Sequence, residues 1–234
     1  MDFETPTQEP KSGQGPIHWD KTAQSTYRLS FKEGWQPPTT EAPLGYWQGR
    51  PIIGRDTPIG GGVYLGEEAR EAIVVTKDGE KTERIFQKLL KKTRPRDQST
   101  EPPERATLET TFDITRRALK WNDKKVAKLL AENNIKQDRK VALEGFVRAG
   151  VGVCRHTALL AGYYIEKLIA EGRLHGNVSV DRNYIDQRGG HAWVRYTNPA
   201  GQVVILDPAR NYLGSLEDAP EDARWIYERP GKVA

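Results

Sequence analysis

The alternation of apolar and polar positions is most regular in the second half of the chain. From Cys154 to about Ala170, apolar residues recur at steps of three and four, the period of a helix with one packed face. A short strand is predicted from Asn177 to Asp181. The runs from His191 to Thr197 and from Gln202 to Asp207 alternate as strands do. These elements predict a helix beside an antiparallel hairpin.

The turn between the last two strands, residues 198–201 (NPAG), predicts the register of the hairpin. Proline stands where a type I turn favours it, and glycine where a three-residue loop needs a left-handed residue. In that register Trp193 lies opposite Asp207, and His191 is its diagonal neighbour on the same face. Diagonal neighbours lie roughly 7–8 Å apart at the backbone, which allows an imidazole–carboxylate hydrogen bond.

The middle of the chain is predicted to hold one strand followed by helices. The strand runs from Ala72 to Thr76 and ends at an Asp-Gly turn. Proline is tolerated in the first turn of a helix, and asparagine or aspartate caps one. On these signals, helices are predicted from about Thr82 to Lys92, from Pro102-Pro103 to about Lys120, and from Asn122 or Asp123 through Leu130.

Residues 1–60 have a different composition, rich in Pro, Gly, Thr and Gln with scattered Trp and Tyr. The Pro and Gly content argues against long helices and central strands, and the aromatic residues argue against pure disorder. We expect an extended arm over residues 1–60 that frays in its first half and docks in its second. Residues 61–234 would form the domain. A further hypothesis is that the arm docks over the cleft and inhibits it.

Bulk composition indicates a soluble protein. Hydrophobic residues make up 36% of the 234 residues and charged ones 29%. No apolar run approaches the ~18–20 residues of a membrane helix, and the N-terminus lacks the pattern of a secretory signal. We therefore expect a cytoplasmic protein without a membrane partner, although export by a signal-free route would leave no trace in the sequence.

The charge and cysteine content limit the partners. The net charge is +4, but the basic residues cluster only loosely, without stacking aromatics or a known nucleic-acid module, so we expect no nucleic-acid partner. The single cysteine excludes an internal disulfide and a thiolate zinc cluster. The oligomeric state is left open.

The cysteine, Cys154, stands at the predicted start of a helix, where free N–H groups and the helix dipole lower a thiol pKa. A small buried core cysteine is the alternative. His191 and Asp207 form either a structural pair or part of a catalytic site. Together, the three residues would supply a nucleophile, a base and a group that orients the base.

In this order, the segments GVCRHTALL, GGHAW and ILDPA resemble the three motifs of the transglutaminase-like superfamily. The resemblance spans about residues 144–212. It implies an α+β fold with a papain-like core, to which the helices before it and the arm would be added. It also implies Cys154 as nucleophile, His191 as general base and acid, and Asp207 as orienter. This chemistry needs no cofactor and no metal, and the chain has no acidic loop that would support calcium dependence.

The family resemblance implies attack on a carbonyl to give a thioester, with a protein or peptide substrate. We favour transfer to water, as in a protease, amidase or deamidase, over transfer to an amine, as in a cross-linking transglutaminase. A non-catalytic interaction module on the same fold is the competing class. A metalloenzyme using His156 and His191 lacks coherent ligand spacing.

Two residues near the motifs have open roles. The backbone N–H of Cys154 is the natural first donor to an oxyanion, and Trp121 is a second candidate because a tryptophan serves in some relatives. A core or surface role is the alternative for Trp121. We interpret His156 as structural or as part of the pocket rim.

Overall fold

A computed structural model of the chain describes residues 7–8, 17–19, 21–67, 70–93, 104–185, 189–220, 224 and 226–230. These residues hold six helices: α1 Lys21–Leu29, α2 Glu80–Lys92, α3 Glu104–Ala118, α4 Asp123–Glu132, α5 Leu143–Ala149 and α6 Cys154–Ala170. The same residues hold fourteen strands: β1 Thr7–Gln8, β2 Ile17–His18, β3 Trp35–Gln36, β4 Tyr46–Trp47, β5 Arg50–Pro51, β6 Val63–Leu65, β7 Ala72–Val74, β8 Lys120–Trp121, β9 Lys140–Ala142, β10 Val151–Gly152, β11 Asn177–Ile185, β12 Gly189–Thr197, β13 Val203–Asp207 and β14 Tyr212–Ser215. The prediction of an α+β fold is confirmed.

The main sheet carries one helix across its face. Its six strands among the described residues run in the order β1-β2-β11-β12-β13-β14, with every pair antiparallel. Helix α6 packs against β11 and β12. At Gly162 a Cβ atom would lie 2.9 Å from side-chain carbons of both Ile59 and Val180, so a glycine is needed for this close approach. The hydrophobic core between helix and sheet fixes the start of α6 relative to the hairpin.

The hairpin of β12 and β13 has the register that its turn predicts. Thr197 pairs with Val203 and Val194 with Leu206, and the Asn198 N–H donates to the Gln202 carbonyl at 3.0 Å. Gly201 in the turn has φ +80°, the left-handed conformation expected of it. His191 and Asp207 therefore face the same side of the sheet.

The helices of the middle region agree closely with the pattern. Asn122 caps α4, because its side chain accepts a hydrogen bond from the Lys125 N–H at 2.8 Å. Helix α6 has the predicted bounds, and β11 extends four residues beyond its predicted end. Pro102 and Pro103, the predicted first residues of α3, lie outside the described residues.

The first sixty residues contain an unpredicted helix, α1, and three two-residue strands that form a small sheet in the order β3-β4-β5. Leu29, Trp47 and Ile52 are buried, in one cluster with residues of the second three-stranded sheet, β6-β7-β9. Strand β2 pairs with β11 of the main sheet on one side and with β1, the edge strand, on the other. The predicted fraying of the first residues falls largely outside the described part of the chain.

Among the described residues, no helix combines the length and apolar character required to cross a bilayer.

Candidate active site

Cys154 is the first residue of α6, directly after β10. Strand β10 pairs in parallel with β8, which places Gly152 beside Trp121. Val153 is extended, with φ −128° and ψ −174°, and the helix begins at the next residue. A Cβ atom on Gly152 would lie 3.0 Å from the Cβ of His156, so the glycine allows the strand to run close against the first helical turn. The thiol thus lies at a helix N-terminus, where an anion is favoured.

His191 lies between a carboxylate and the thiol. Its Nε2 atom is 2.5 Å from Oδ2 of Asp207. The imidazole lines the same two cavities as the Cys154 thiol, and each of these two groups shifts the pKa of the other. The structure therefore brings the three sequence-predicted site residues together.

Asp207 is held by more than the histidine. Its side chain is fully buried, Oδ2 accepts a hydrogen bond from the Tyr227 hydroxyl at 2.8 Å, and Oδ1 accepts one from the Arg210 N–H at 3.1 Å. Trp193 packs against this arrangement, with its ring centroid 5.8 Å from that of His191 and 5.3 Å from that of Tyr227. These contacts fix both the carboxylate and the plane of the imidazole.

The pKa values of Cys154 and His191 are shifted by each other and by their neighbours. Burial alone raises the pKa of the Cys154 thiol, but the hydrogen bond and charge of His191, with the charge of Arg155 and the Ala192 N–H, hold it below its ordinary value. Burial lowers the pKa of His191, but its bonds to Asp207 and Cys154 raise it to about 9. The thiolate and the imidazolium thereby stabilise each other.

A second histidine, His156, also has a carboxylate neighbour, but its pKa is lowered, whereas that of His191 is raised. It is fully buried, its Nδ1 accepts a hydrogen bond from the Val153 N–H at 3.1 Å, and its Nε2 is 3.5 Å from Oε1 of Glu71. Arg155 pairs with the same Glu71 oxygen at 2.6 Å. Burial lowers the pKa of His156 to about 4, and it stays neutral. The structural interpretation of His156 is confirmed.

Two cavities meet at Cys154, and His191 lines both. The first, which we call the arginine pocket, has a volume of about 20 Å³ and is lined by Tyr64, Glu67, Arg70, Arg155 and Arg182. The second, the tryptophan pocket, has a volume of about 230 Å³ and is lined by Trp121, Ile185, Ala209 and Arg210. With 9% of its surface exposed, Cys154 is nearly buried but reachable from both sides. Residues 21–60 line neither cavity.

The sequence pattern missed the residues that surround the three predicted ones. Tyr227, Glu71 and Arg182 stand in segments without a motif, and each reaches the site through a contact distant in sequence. Trp121 is 57% exposed, so it is a surface residue and not a core residue, and it also lines a cavity that Cys154 lines.

The two histidines do not share a ligand position, because His156 faces Glu71 and His191 faces Asp207. In the part of the chain that the structure describes, no group of three or more His, Cys, Asp or Glu side chains is placed to hold a metal ion.

Comparison of the chain with family models, with curated proteins and with solved structures found no match.

Proposed function

We propose that this protein is a transglutaminase-like cysteine hydrolase that cleaves amide bonds of a protein or peptide through a thioester on Cys154. One observation carries the proposal: the His191 imidazole bonds to the buried Asp207 and also lowers the pKa of the Cys154 thiol. A histidine that merely filled the core would need neither a buried carboxylate partner nor a thiol on the same cavities. This arrangement is what nucleophilic catalysis by a thiol requires.

In the first half of the reaction, the Cys154 thiolate attacks the carbonyl carbon of the amide. The carbonyl oxygen becomes an oxyanion, and the backbone N–H of Cys154 is its first donor. The His191 imidazolium then gives its proton to the nitrogen of the leaving amine as the C–N bond breaks. A thioester remains on Cys154, and the imidazole is neutral.

In the second half, a water molecule attacks the thioester carbonyl and His191 takes a proton from it. The C–S bond breaks, which releases a carboxylic acid and returns Cys154 as the thiolate beside the imidazolium. Asp207 keeps its charge throughout, orients the ring and stabilises its protonated form. We favour water as the acceptor because hydrolysis requires no dedicated binding site for an amine.

We assign Trp121 as the candidate for a second oxyanion donor. It is exposed, it lines the tryptophan pocket with Cys154 and His191, and β8 fixes it beside the strand that leads to the nucleophile. Its indole N–H is a donor that cannot also accept, which suits a developing negative charge. Trp121→Phe would retain the ring and lose the donor.

The first experiment measures how fast iodoacetamide alkylates Cys154 between pH 5 and pH 9. We expect fast labelling well below pH 8, and His191→Ala should slow it at pH 6.5 by on the order of a hundredfold, since the thiol would regain an ordinary pKa. His175→Ala is the matched control, because His175 is exposed and remote from the motifs. An ordinary thiol profile that His191→Ala leaves unchanged would favour the non-catalytic module.

The second experiment separates the acceptors. The protein is incubated with a glutamine-bearing peptide and a fluorescent amine, and both released ammonia and incorporated fluorophore are measured. Ammonia release without incorporation supports hydrolysis. Efficient incorporation of the amine would instead identify a cross-linking enzyme.

A further inference from the structure

Arg182 on β11 carries a buried charge that no described carboxylate compensates. The residue is 4% exposed. One terminal nitrogen donates to the Leu65 carbonyl at 2.6 Å and the other to the Ser25 hydroxyl at 3.3 Å, while the buried Nε has no hydrogen-bond partner. The guanidinium lies 5.0 Å from the centre of the Tyr64 ring. None of these neighbours bears a negative charge.

The other buried arginines of the described chain are compensated. Arg155 pairs with Glu71 at 2.6 Å, and Arg195 pairs with Asp181 at 3.2 Å. Among the described residues, no carboxylate forms an ion pair with Arg182. Because an isolated charge in a protein interior is strongly unfavourable, a guanidinium that is retained there is expected to meet an anion at some stage.

The place where Arg182 could meet an anion is the arginine pocket, which it lines together with Cys154 and His191. Arg155 lines the same pocket and brings a second guanidinium close to the thiol. A volume of about 20 Å³ accommodates a group of a few atoms, such as a carboxylate, and excludes a bulky side chain. A guanidinium binds a carboxylate through two parallel hydrogen bonds.

The pocket continues outward into a cleft of about 570 Å³ that is also basic. Glu67 and Arg70 line both spaces, and Lys21 lines the outer cleft together with Arg28, which is already paired with Asp138 at 2.6 Å. Glu67 is the only carboxylate that the described residues place on these walls. It stands over Gly190, where a Cβ atom would lie 2.9 Å from its Oε1 atom. A positive lining thus extends outward from one side of the thiol.

We propose that the arginine pocket is a carboxylate subsite and that the substrate is an acidic peptide. An Asp or Glu side chain next to the carbonyl that Cys154 attacks would enter the pocket and bind Arg182 and Arg155. Further acidic residues would lie along the outer cleft. This inference rests on the proposed function, because it specifies which acyl groups reach Cys154.

The test compares iodoacetate with iodoacetamide, two alkylating agents that differ by a carboxylate. In both reactions the Cys154 thiolate displaces iodide, and the ratio of the two rates cancels the reactivity of the thiol itself. Arg182→Gln should lower the iodoacetate/iodoacetamide ratio by roughly tenfold, and Glu67→Gln should raise it. Arg117→Gln is the matched control, because Arg117 is 68% exposed and pairs with Asp113.

A measurement on the unaltered protein covers the case in which Arg182→Gln does not fold. Glutarate should raise the melting temperature at constant ionic strength, whereas glutaramide should not, since only the dianion compensates the buried charge. Stabilisation by sulfate equal to that by glutarate would show a general anion site and overturn the carboxylate assignment.

The failures of the two proposals can be told apart. Fast, His191-dependent labelling by iodoacetamide, with an unchanged ratio in Arg182→Gln and no effect of glutarate, would overturn the subsite and leave the enzyme proposal standing. Slow labelling that ignores His191, combined with stabilisation by glutarate, would overturn the enzyme proposal and show that the pocket binds carboxylates.

Discussion

Two histidines near Cys154 each face a buried carboxylate: His191, which is partly buried, and His156, which is fully buried. His191 is 2.5 Å from Asp207, and its pKa is raised to about 9. His156 is 3.5 Å from Glu71, and its pKa is lowered to about 4. The neighbours of the carboxylates account for much of the contrast. Asp207 accepts hydrogen bonds from His191 and from neutral donors, and the exposed Arg210 guanidinium lies 4.0 Å away, whereas Glu71 is paired with the nearly buried Arg155 at 2.6 Å.

The comparison shows that proximity to a carboxylate does not determine the charge of a histidine. Where an arginine already neutralises the carboxylate, burial dominates and the imidazole stays neutral. Where the arginine is more distant and the carboxylate bonds directly to the histidine, the pKa of the imidazole is raised and its protonated form can stabilise a thiolate. Each of the following experiments tests one of the two histidine–carboxylate pairs.

The largest effect is expected from Asp207→Asn. Without the carboxylate charge, the pKa of His191 should fall below its value of about 9, and the ring loses its orientation. We expect amide hydrolysis at pH 7 to drop by on the order of a thousandfold. In the unaltered protein, the proposed activity should decline as the pH rises through about 9, and in the variant this decline should occur at lower pH. Asp218→Asn, at an exposed site, is the control.

Arg155→Met should raise the pKa of His156 and so make this histidine resemble His191. The substitution leaves Glu71 buried without its cation, which should reduce the free energy of unfolding by about 3 kcal/mol or more. Burial opposes ionisation of Glu71, yet the His156 bond and Arg155 charge hold its pKa at about 2. Freed of Arg155, the carboxylate should raise the pKa of His156. NMR titration of the His156 ring measures this change, and a pKa that stays at about 4 would refute the explanation given above.

Acidification tests the neutral state of His156 directly. Its pKa is about 4 in the folded protein, so between pH 6.5 and pH 4 the unfolded chain binds a proton that the folded protein does not. The free energy of unfolding should therefore decrease as the pH falls through this window, by up to about 3 kcal/mol. Urea unfolding at several pH values gives the slope. His156→Gln keeps an acceptor for the Val153 N–H but has no titrating ring, so it should reduce the slope of the free energy of unfolding against pH.

The smallest effect is expected from Tyr227→Phe. The substitution removes one of the hydrogen bonds to Asp207 but leaves its charge and its contact with His191, so we expect a loss of about 1 kcal/mol in stability. Hydrolysis should slow by no more than about tenfold. The pH at which activity declines on the alkaline side should not decrease as it does for Asp207→Asn. A loss as large as that of Asp207→Asn would show that Tyr227 takes part in the chemistry itself.

The parts of the site that the sequence predicts are those set by local chemistry. The turn at residues 198–201 determines the register, and the register brings His191 to Asp207. The cap at Asn122 is equally local. Glu71, Arg182 and Tyr227 could not be predicted, because their contacts depend on how separate elements pack. Helix α1 was missed because the prolines and glycines around it dominate the composition of its region.

The hydrogen bond from the Tyr227 hydroxyl to Asp207 has a consequence for the order in which the site is completed during synthesis. All three reacting side chains have been synthesised once translation passes Asp207, but the tyrosine follows only twenty residues later. A growing polypeptide at that stage has its sulfur and its imidazole while the aspartate is not yet fully held. Because the loss of this hydroxyl is expected to slow the proposed reaction by no more than about tenfold, a chain that ends before Tyr227 would carry a weakened site rather than an inactive one.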